Sequence, residues 1–318
     1  MNKGNLFFLI VLATGIFLFP FITEDMYLLT LMIFVGIHVL VALGLTMLIG
    51  FAGQLSLCQA AFYGIGSYTT GVLSVNTELN PFITIIAAVL MACCVALILG
   101  IPALKLKGHY LAMATLGFGE IVNIVFREWR IVTGGPSGLI NIPQLSIGAF
   151  GIDTDLRYYI FLWIIVLISV AFLINLANSR VGRGLQALKR SEDAAATMGI
   201  PVATYKIKVF ILSAAFASLG GALYAHYVTV ISPESFDVFF SVALVTMVVS
   251  GGLFSVWGGV LGSFLFTILP DMLQGFEDYS VIIYGFVLLF ILMFMPKGLA
   301  GLISFGMNRS KRLFSQTE

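Results

Sequence analysis

Apolar residues run almost unbroken along this chain, and polar ones gather in short connections between the runs. A helix rises ~1.5 Å per residue, so about 20 apolar residues cross ~30 Å of hydrocarbon. Ten runs meet or approach that length, at roughly 6–22, 28–49, 60–76, 81–104, 109–126, 158–177, 208–230, 238–256, 259–275 and 280–296. The third, fifth and ninth are short or rich in glycine and polar residues, so the pattern predicts eight to ten spans. The expected fold is all-α: a polytopic membrane helical bundle of about ten transmembrane segments, a single domain over 1–318. Lys3 precedes the first run, and Phe19-Pro20-Phe21 offers no small-residue cleavage site, so that run reads as a span rather than a signal peptide.

Composition closes off the other classes. Sixty per cent of the chain is apolar and 10% is charged, against about 25% charged residues in soluble domains. Its 16 basic and 15 acidic residues cannot cover a water-facing surface. Nor do they leave a basic excess for nucleic acid. Cys58, Cys93 and Cys94 form no CxxC pair and no even disulfide set. There is no Gly-Lys dipeptide, hence no P-loop, and no HExxH; His38, His109 and His226 are scattered. The chain reads as a non-enzyme with no metal site and no cofactor. Any ATP it depends on is bound by another chain.

Charge placement orients the spans. With the N-terminus inside and the connections alternating, the inside positions hold Lys3, Lys105, Lys107, Arg180, Arg183, Lys189, Arg190, Lys206, Lys208, Lys297, Arg309, Lys311 and Arg312, which is 13 of the 16 basic residues. Only Arg127, Arg130 and Arg157 fall outside. This is the positive-inside bias, and it predicts that both termini are cytoplasmic. The longest outside loop, 127–157, contains the turn-rich Gly134-Gly135-Pro136-Ser137-Gly138.

The largest inside connection is 178–207. Ser191 is a good N-cap, and Glu192 and Asp193 follow where the macrodipole favours negative charge. Ala194, Ala195 and Ala196 are strong helix formers. Gly199 supplies a left-handed stop and Pro201 prevents continuation. The segment therefore spells a helix of about two turns, too short to be stable alone. It reads as a docking element for a cytoplasmic partner, with Arg180, Arg183, Lys189 and Arg190 free to pair with that partner or with anionic headgroups. An interfacial helix on lipid is the plainer reading.

Two membrane segments are broken by small residues. In 44–71, Gly50, Gly53, Gly64, Gly66 and Gly71 stand beside Gln54, Ser56, Gln59, Tyr63, Ser67 and Tyr68. A broken helix exposes backbone groups that can meet a polar solute. Residues 250–263 contain Gly258-x-x-x-Gly262, which favours tight helix packing. Glu120 is a carboxylate inside the fifth run, where it faces a cavity, a partner or the interface.

The segments GFAGQLSLCQAAFYGIGSYT, LKGHYLAMATLGFGEIV, TGGPSGL, SRVGRGLQALKRSEDAAATMGI and VSGGLFSVWGGVLGS occur in one order. Together, over about 33–300, the chain resembles the permease subunits of high-affinity branched-chain amino-acid ABC importers, on the LivM-like side of the permease pair. Asp193-Ala194-Ala195 with Gly199 resembles the EAA loop of such permeases, with Asp in place of Glu. Cys58-Gln59 stands where many relatives have Gly-His, so a role tied to that imidazole does not carry over.

The resemblance implies an importer of Leu, Ile, Val or related amino acids working by alternating access in the bacterial inner membrane. It implies a heterodimer with a second homologous permease, two ABC ATPases holding ATP-Mg, and an extracytoplasmic solute-binding protein. The coupling positions are then Arg183, Ser191, Glu192, Asp193, Ala194, Ala195 and Gly199. Gly53, Gln54, Ser56, Gln59, Tyr63, Gly64 and Glu120 are candidates for the substrate path. A urea or amide permease of the same family stays open as an alternative. So does a stand-alone ion-coupled transporter, although Glu120 is the single intramembrane charge that would serve it.

Overall fold

The computed structural model describes residues 3–23, 25–77, 79–103, 105–106, 108–147, 150–151, 154–273, 285–286, 289–290, 293 and 298–301. Almost all of this is helix. The order is α1 (Lys3–Ile22), α2 (Met26–Leu45) running on into a π-helical segment (Thr46–Phe51), α3 (Gln59–Thr77), α4 (Pro81–Ala103), α5 (His109–Glu128) and the single turn α6 (Arg130–Thr133). Then come α7 (Asp155–Asn178), α8 (Arg180–Arg190), α9 (Glu192–Thr197), α10 (Val202–Val228), α11 (Val238–Gly251) and α12 (Val256–Met272). A two-residue antiparallel pair, β1 (Ser146–Ile147) with β2 (Phe150–Gly151), lies in the loop before α7.

Six of these helices are long and apolar enough to cross a membrane: Gly4–Phe21, Met26–Phe51, Pro81–Ala103, His109–Glu128, Asp155–Asn178 and Val202–Val228. The expectation of about ten is met only in this coarser form. α11 and α12 are apolar but shorter, and α3 is diluted by glycine and polar residues. The tenth expected span, 280–296, falls mostly outside the described residues. So do Lys107, Lys297, Arg309, Lys311 and Arg312.

Polar caps set several helix starts. Asp25 accepts the Tyr27 amide at α2, Asp237 the Phe240 amide at α11, and Ser255 the Trp257 amide at α12. α2 is the axis of the bundle. From Val35 onward nearly every side chain on it is buried, and it packs against α7, α10 and α12. A helix apolar on all faces is buried on all faces. α10 packs in turn against α3 and α4.

Small residues bring these backbones together. A Cβ on Gly66 would lie 2.2 Å from the Ser218 carbonyl oxygen, and one on Gly221 would lie 1.9 Å from that of Tyr63. At α11–α12, a Cβ on Gly262 would lie 1.9 Å from the Met247 carbonyl oxygen. The Gly258-x-x-x-Gly262 pattern thus serves packing, as small-residue seams do where lipid supplies no hydrophobic drive.

The connections fall into two groups at opposite ends. One end gathers 52–58, the α8–α9 pair and the turn 252–255, tied together by Lys189. The other end gathers the start of α2, the loop before α7 and the end of α10. There Leu139 and Ile231 exchange backbone hydrogen bonds at 2.9 Å, and Tyr27 bonds Asp271. Gly221→Ala should lower stability by about 1–3 kcal/mol through overpacking, read as a fall in thermal midpoint in detergent. Gly117→Ala, with open space around its Cβ, is the control that should hold or gain.

Candidate functional site

The α8–α9 connection is built as a joint. Ser179 opens α8 by accepting the Val181 and Gly182 amides, and Ser191 opens α9 by accepting the Ala194 amide at 3.3 Å. Glu192 and Asp193 fill its first turn. Gly199 closes it at φ +78°, a conformation that costs an L side chain. Ala195 is buried, whereas Asp193, Ala194, Ala196, Thr197, Met198 and Gly199 are exposed. Met198 is 82% exposed, so the outer side of α9 is an open apolar-and-small surface.

Two lysines fasten this joint to the bundle. Lys206, buried in the second turn of α10, pairs with Glu192 at 2.5 Å. Lys189, near the end of α8, donates from Nζ to the Gly50 carbonyl at 2.7 Å and lies 4.2 Å from the centre of the Phe254 ring. Burial pushes the Lys189 ammonium below the usual lysine range. Its stem lies against Gly53, where a Cβ would come 2.9 Å from Lys189 Cγ. Lys189 therefore turns inward, not toward a partner or lipid headgroups as the charge pattern suggested. Arg183 is exposed, and its Nη1 donates to the Asn178 carbonyl at 3.0 Å.

Sequence reasoning missed α8 as an element and Lys189 and Lys206 as the anchors of the α8–α9 joint. The signal was present: Val181, Leu185 and Leu188 recur at helical spacing behind the Ser179 cap. Leu185 and Leu188 are buried, as are Gly182 and Gly184, the latter under the Tyr205 ring.

The positions expected along a substrate path divide into three places. Gly53, Gln54 and Ser56 lie in the irregular stretch between the π-helical segment and α3. Gln54 is buried, and its side-chain amide has no hydrogen-bond partner among the described residues. Ser56 Oγ sits 3.2 Å from Cys58 Sγ. Gln59, Tyr63 and Gly64 line the buried face of α3. Gln59 donates to the Ser213 carbonyl at 3.0 Å and to Ser213 Oγ at 2.8 Å. The Tyr63 ring meets Tyr224, Phe236 and Phe240 at 5.2–5.5 Å. Gly64 is covered by Phe126 and Phe236. Glu120 stands apart, exposed midway along α5 beside exposed Leu116, Ile121 and Ile124. No group of three His, Cys, Asp or Glu side chains able to hold a metal occurs among the described residues.

Long apolar helices, seams of small residues and polar loops at both ends define a multi-pass membrane protein. The comparisons supply the family. The family model "Branched-chain amino acid transport system / permease component" matches residues 27–292. The chain is 33% identical, over 83% of its own length and 67% of the relative's, to the high-affinity branched-chain amino acid transport system permease protein LivM of Escherichia coli (strain K12). It is 26% identical, over 85% of its length and 92% of the relative's, to a probable branched-chain amino acid transport permease protein LivM of Methanocaldococcus jannaschii. A probable LivH permease protein of that organism is 23% identical over 92% of this chain and 96% of its own. No solved structure matches. The chain belongs to the branched-chain amino acid transport permease family, and it is a transporter component.

Lys206→Met keeps the stem and removes the ammonium. Glu192 is 31% exposed, so its charge is screened and the loss is about 1 kcal/mol. Amide exchange across 194–199 should rise roughly fivefold, while the transmembrane helices stay protected.

Proposed function

We propose that this chain is one permease subunit of an ATP-driven importer that moves branched-chain or related amino acids across the bacterial inner membrane by alternating access. It acts as a single domain of about ten spans with both termini cytoplasmic, and the α8–α9 end faces the cytoplasm. The support for that orientation is the crowding of Lys105, Arg180, Arg183, Lys189, Arg190, Lys206 and Lys208 near that end. Two ABC ATPases hold ATP-Mg beneath it, and a solute-binding protein delivers cargo from outside. This chain carries no cofactor of its own.

One observation carries the coupling reading: α9 is a capped, six-residue helix held to α10 by Lys206–Glu192, with its other side open. A helix so short has no stability of its own, so its rigidity comes from the joint, and a push on its open face passes to α10. Ser191, Glu192 and Ala195 hold the helix; Asp193, Ala194 and Gly199 meet the ATPase; Arg183 stiffens the end of α7. ATP binding shifts the bundle only if the ATPases grip one conformation better than the other.

Glu120 supports a second permease subunit. A carboxylate exposed midway along an apolar helix is costly beside lipid. A homologous partner packed on α5 would cover it and place it along a shared path. Gln54, whose buried side-chain amide has no partner among the described residues, and the Gln59–Ser213 pair supply polar groups nearer the cytoplasmic mouth. A zwitterion needs such groups because unpaired charge is prohibitive in hydrocarbon.

In liposomes holding the assembled complex, Asp193→Arg should leave ATP hydrolysis running while leucine uptake falls at least tenfold. Uptake at the wild-type rate would remove α9 from coupling. Glu120→Gln at equal membrane abundance should slow uptake, and an unchanged rate takes Glu120 out of the path. Collapsing ion gradients at constant ATP should leave uptake intact, and leucine should be carried in preference to urea.

A further inference from the structure

The end of the bundle opposite α8–α9 holds a polar site that the coupling reading does not use. A cavity of about 300 Å³ opens between the starts of α2 and α7 and the last turn of α10. That volume sits at the lower edge of small-molecule sites, ~300–1,000 Å³. Asp155 is the one carboxylate among its described lining residues, at the first position of α7 and partly exposed. Tyr227 Oη lies 3.3 Å from Asp155 Oδ1 and 3.2 Å from Thr30 Oγ1. The Tyr227 ring is 4.9 Å from that of Tyr158 and 5.8 Å from that of Phe34, and all three rings line the cavity. No lysine or arginine is among the described lining residues.

The buried side of the cavity is bounded by His226. Its Nδ1 lies 2.7 Å from the Pro143 carbonyl oxygen. A carbonyl only accepts, so Nδ1 carries the proton, and in the neutral ring Nε2 is left as an acceptor. Nε2 is buried and has no hydrogen-bond partner among the described residues. A carboxylate, three aromatic rings and an unfilled acceptor, with no lysine or arginine among the described lining residues, form the surroundings that favour an ammonium group. The anion pairs with it directly, and ring faces attract it through their quadrupoles.

We infer that this cavity is an ammonium-recognition site at the extracytoplasmic mouth, where Asp155 and the Tyr158–Tyr227 pair take the α-ammonium group of the incoming amino acid. Phe34 and Val228 offer apolar wall to the side chain, and the Gln144 amide and Thr154 hydroxyl offer donors to the carboxylate. The identity of the solute, and the side from which it comes, rest on the importer reading above.

Two fragments of leucine separate the contributions. Isopentylamine keeps the ammonium and the branched chain; 4-methyl-2-oxopentanoate keeps the chain and the carboxylate. With the full-length chain and its partner subunits in lipid nanodiscs, radiolabelled isopentylamine should bind saturably, and leucine but not the oxo-acid should displace it. Asp155→Asn should weaken amine binding about tenfold, the size of a lost charge-assisted hydrogen bond, and Asp155→Glu should restore most of it. The site is overturned if wild-type protein binds no amine, if the oxo-acid displaces it as well as leucine does, or if Asp155→Asn binds as tightly as wild type. Should the variants fail to assemble, the wild-type competition decides alone. ATP-driven leucine uptake in the same preparation reports on the importer reading separately: uptake without amine binding discards this site only, and amine binding without uptake keeps the site and discards the solute assignment.

Discussion

A backbone interrupted beside lipid must find partners for every amide and carbonyl it frees, and the passage from α2 to α3 is where this chain meets that demand. α2 loosens into a π-helical segment at Thr46–Phe51, and regular structure then stops until Gln59. The freed groups are taken up one by one. Lys189 donates to the Gly50 carbonyl, the Leu57 amide donates to Thr115, and the Ala60 amide donates to Ser241. The Gln54 backbone N–H donates to the Leu48 carbonyl. Lys189, Thr115 and Ser241 come from three different helices, so the interruption becomes the point at which α8, α5 and α11 are held to the bundle axis.

That arrangement makes the α8–α9 joint mechanical as well as adhesive. Lys189 is spent on a backbone carbonyl inside the joint, and Lys206 on a carboxylate of α9. The open face of α9 is therefore fixed to two different parts of the bundle: α2 through Gly50, and α10 through Glu192. α10 has 27 residues, about 40 Å at 1.5 Å each. It runs from Lys206 at one end to Tyr227 at the other. Between them it touches α3 at Ser213, through the Gln59 side chain, and at Ser218 and Gly221, where backbone approaches backbone too closely for a side chain to intervene. A rigid rod seated in so close a seam can tilt with its neighbours but has little room to slide past them. The proposed coupling surface and the inferred ammonium site thus sit at the two ends of one helix.

Much of this was legible in the residues. Helix existence and order follow from the length of the apolar runs. The α9 helix was legible to its caps, because Ser191, Glu192, Asp193 and Gly199 each act within a single turn and need nothing distant. The packing role of Gly258 and Gly262 was legible from spacing alone. α8 is legible too, in the Leu185–Leu188 face that follows the Ser179 cap, although its basic residues point equally to a partner-binding surface. Lys189 and Lys206 were not legible in their roles. A lysine's stem is long enough to turn outward or inward, and its target, a carbonyl more than a hundred residues away or a carboxylate on the next helix, is set by how the ends of the bundle meet.

The sequence by itself determined a polytopic helical membrane protein with a capped loop helix, because hydrophobic length and local capping are properties of short stretches. Only the tertiary structure decided which polar residues face one another. It buried Gln59 and Tyr63 against α10 and Gly64 under Phe126 and Phe236, left Glu120 on the outer face of α5, and gathered Asp155, Tyr158, His226 and Tyr227 around one cavity. The physical reason is that a side chain's surroundings are set by helix rotation and pairing, which are fixed by contacts between segments far apart in the chain.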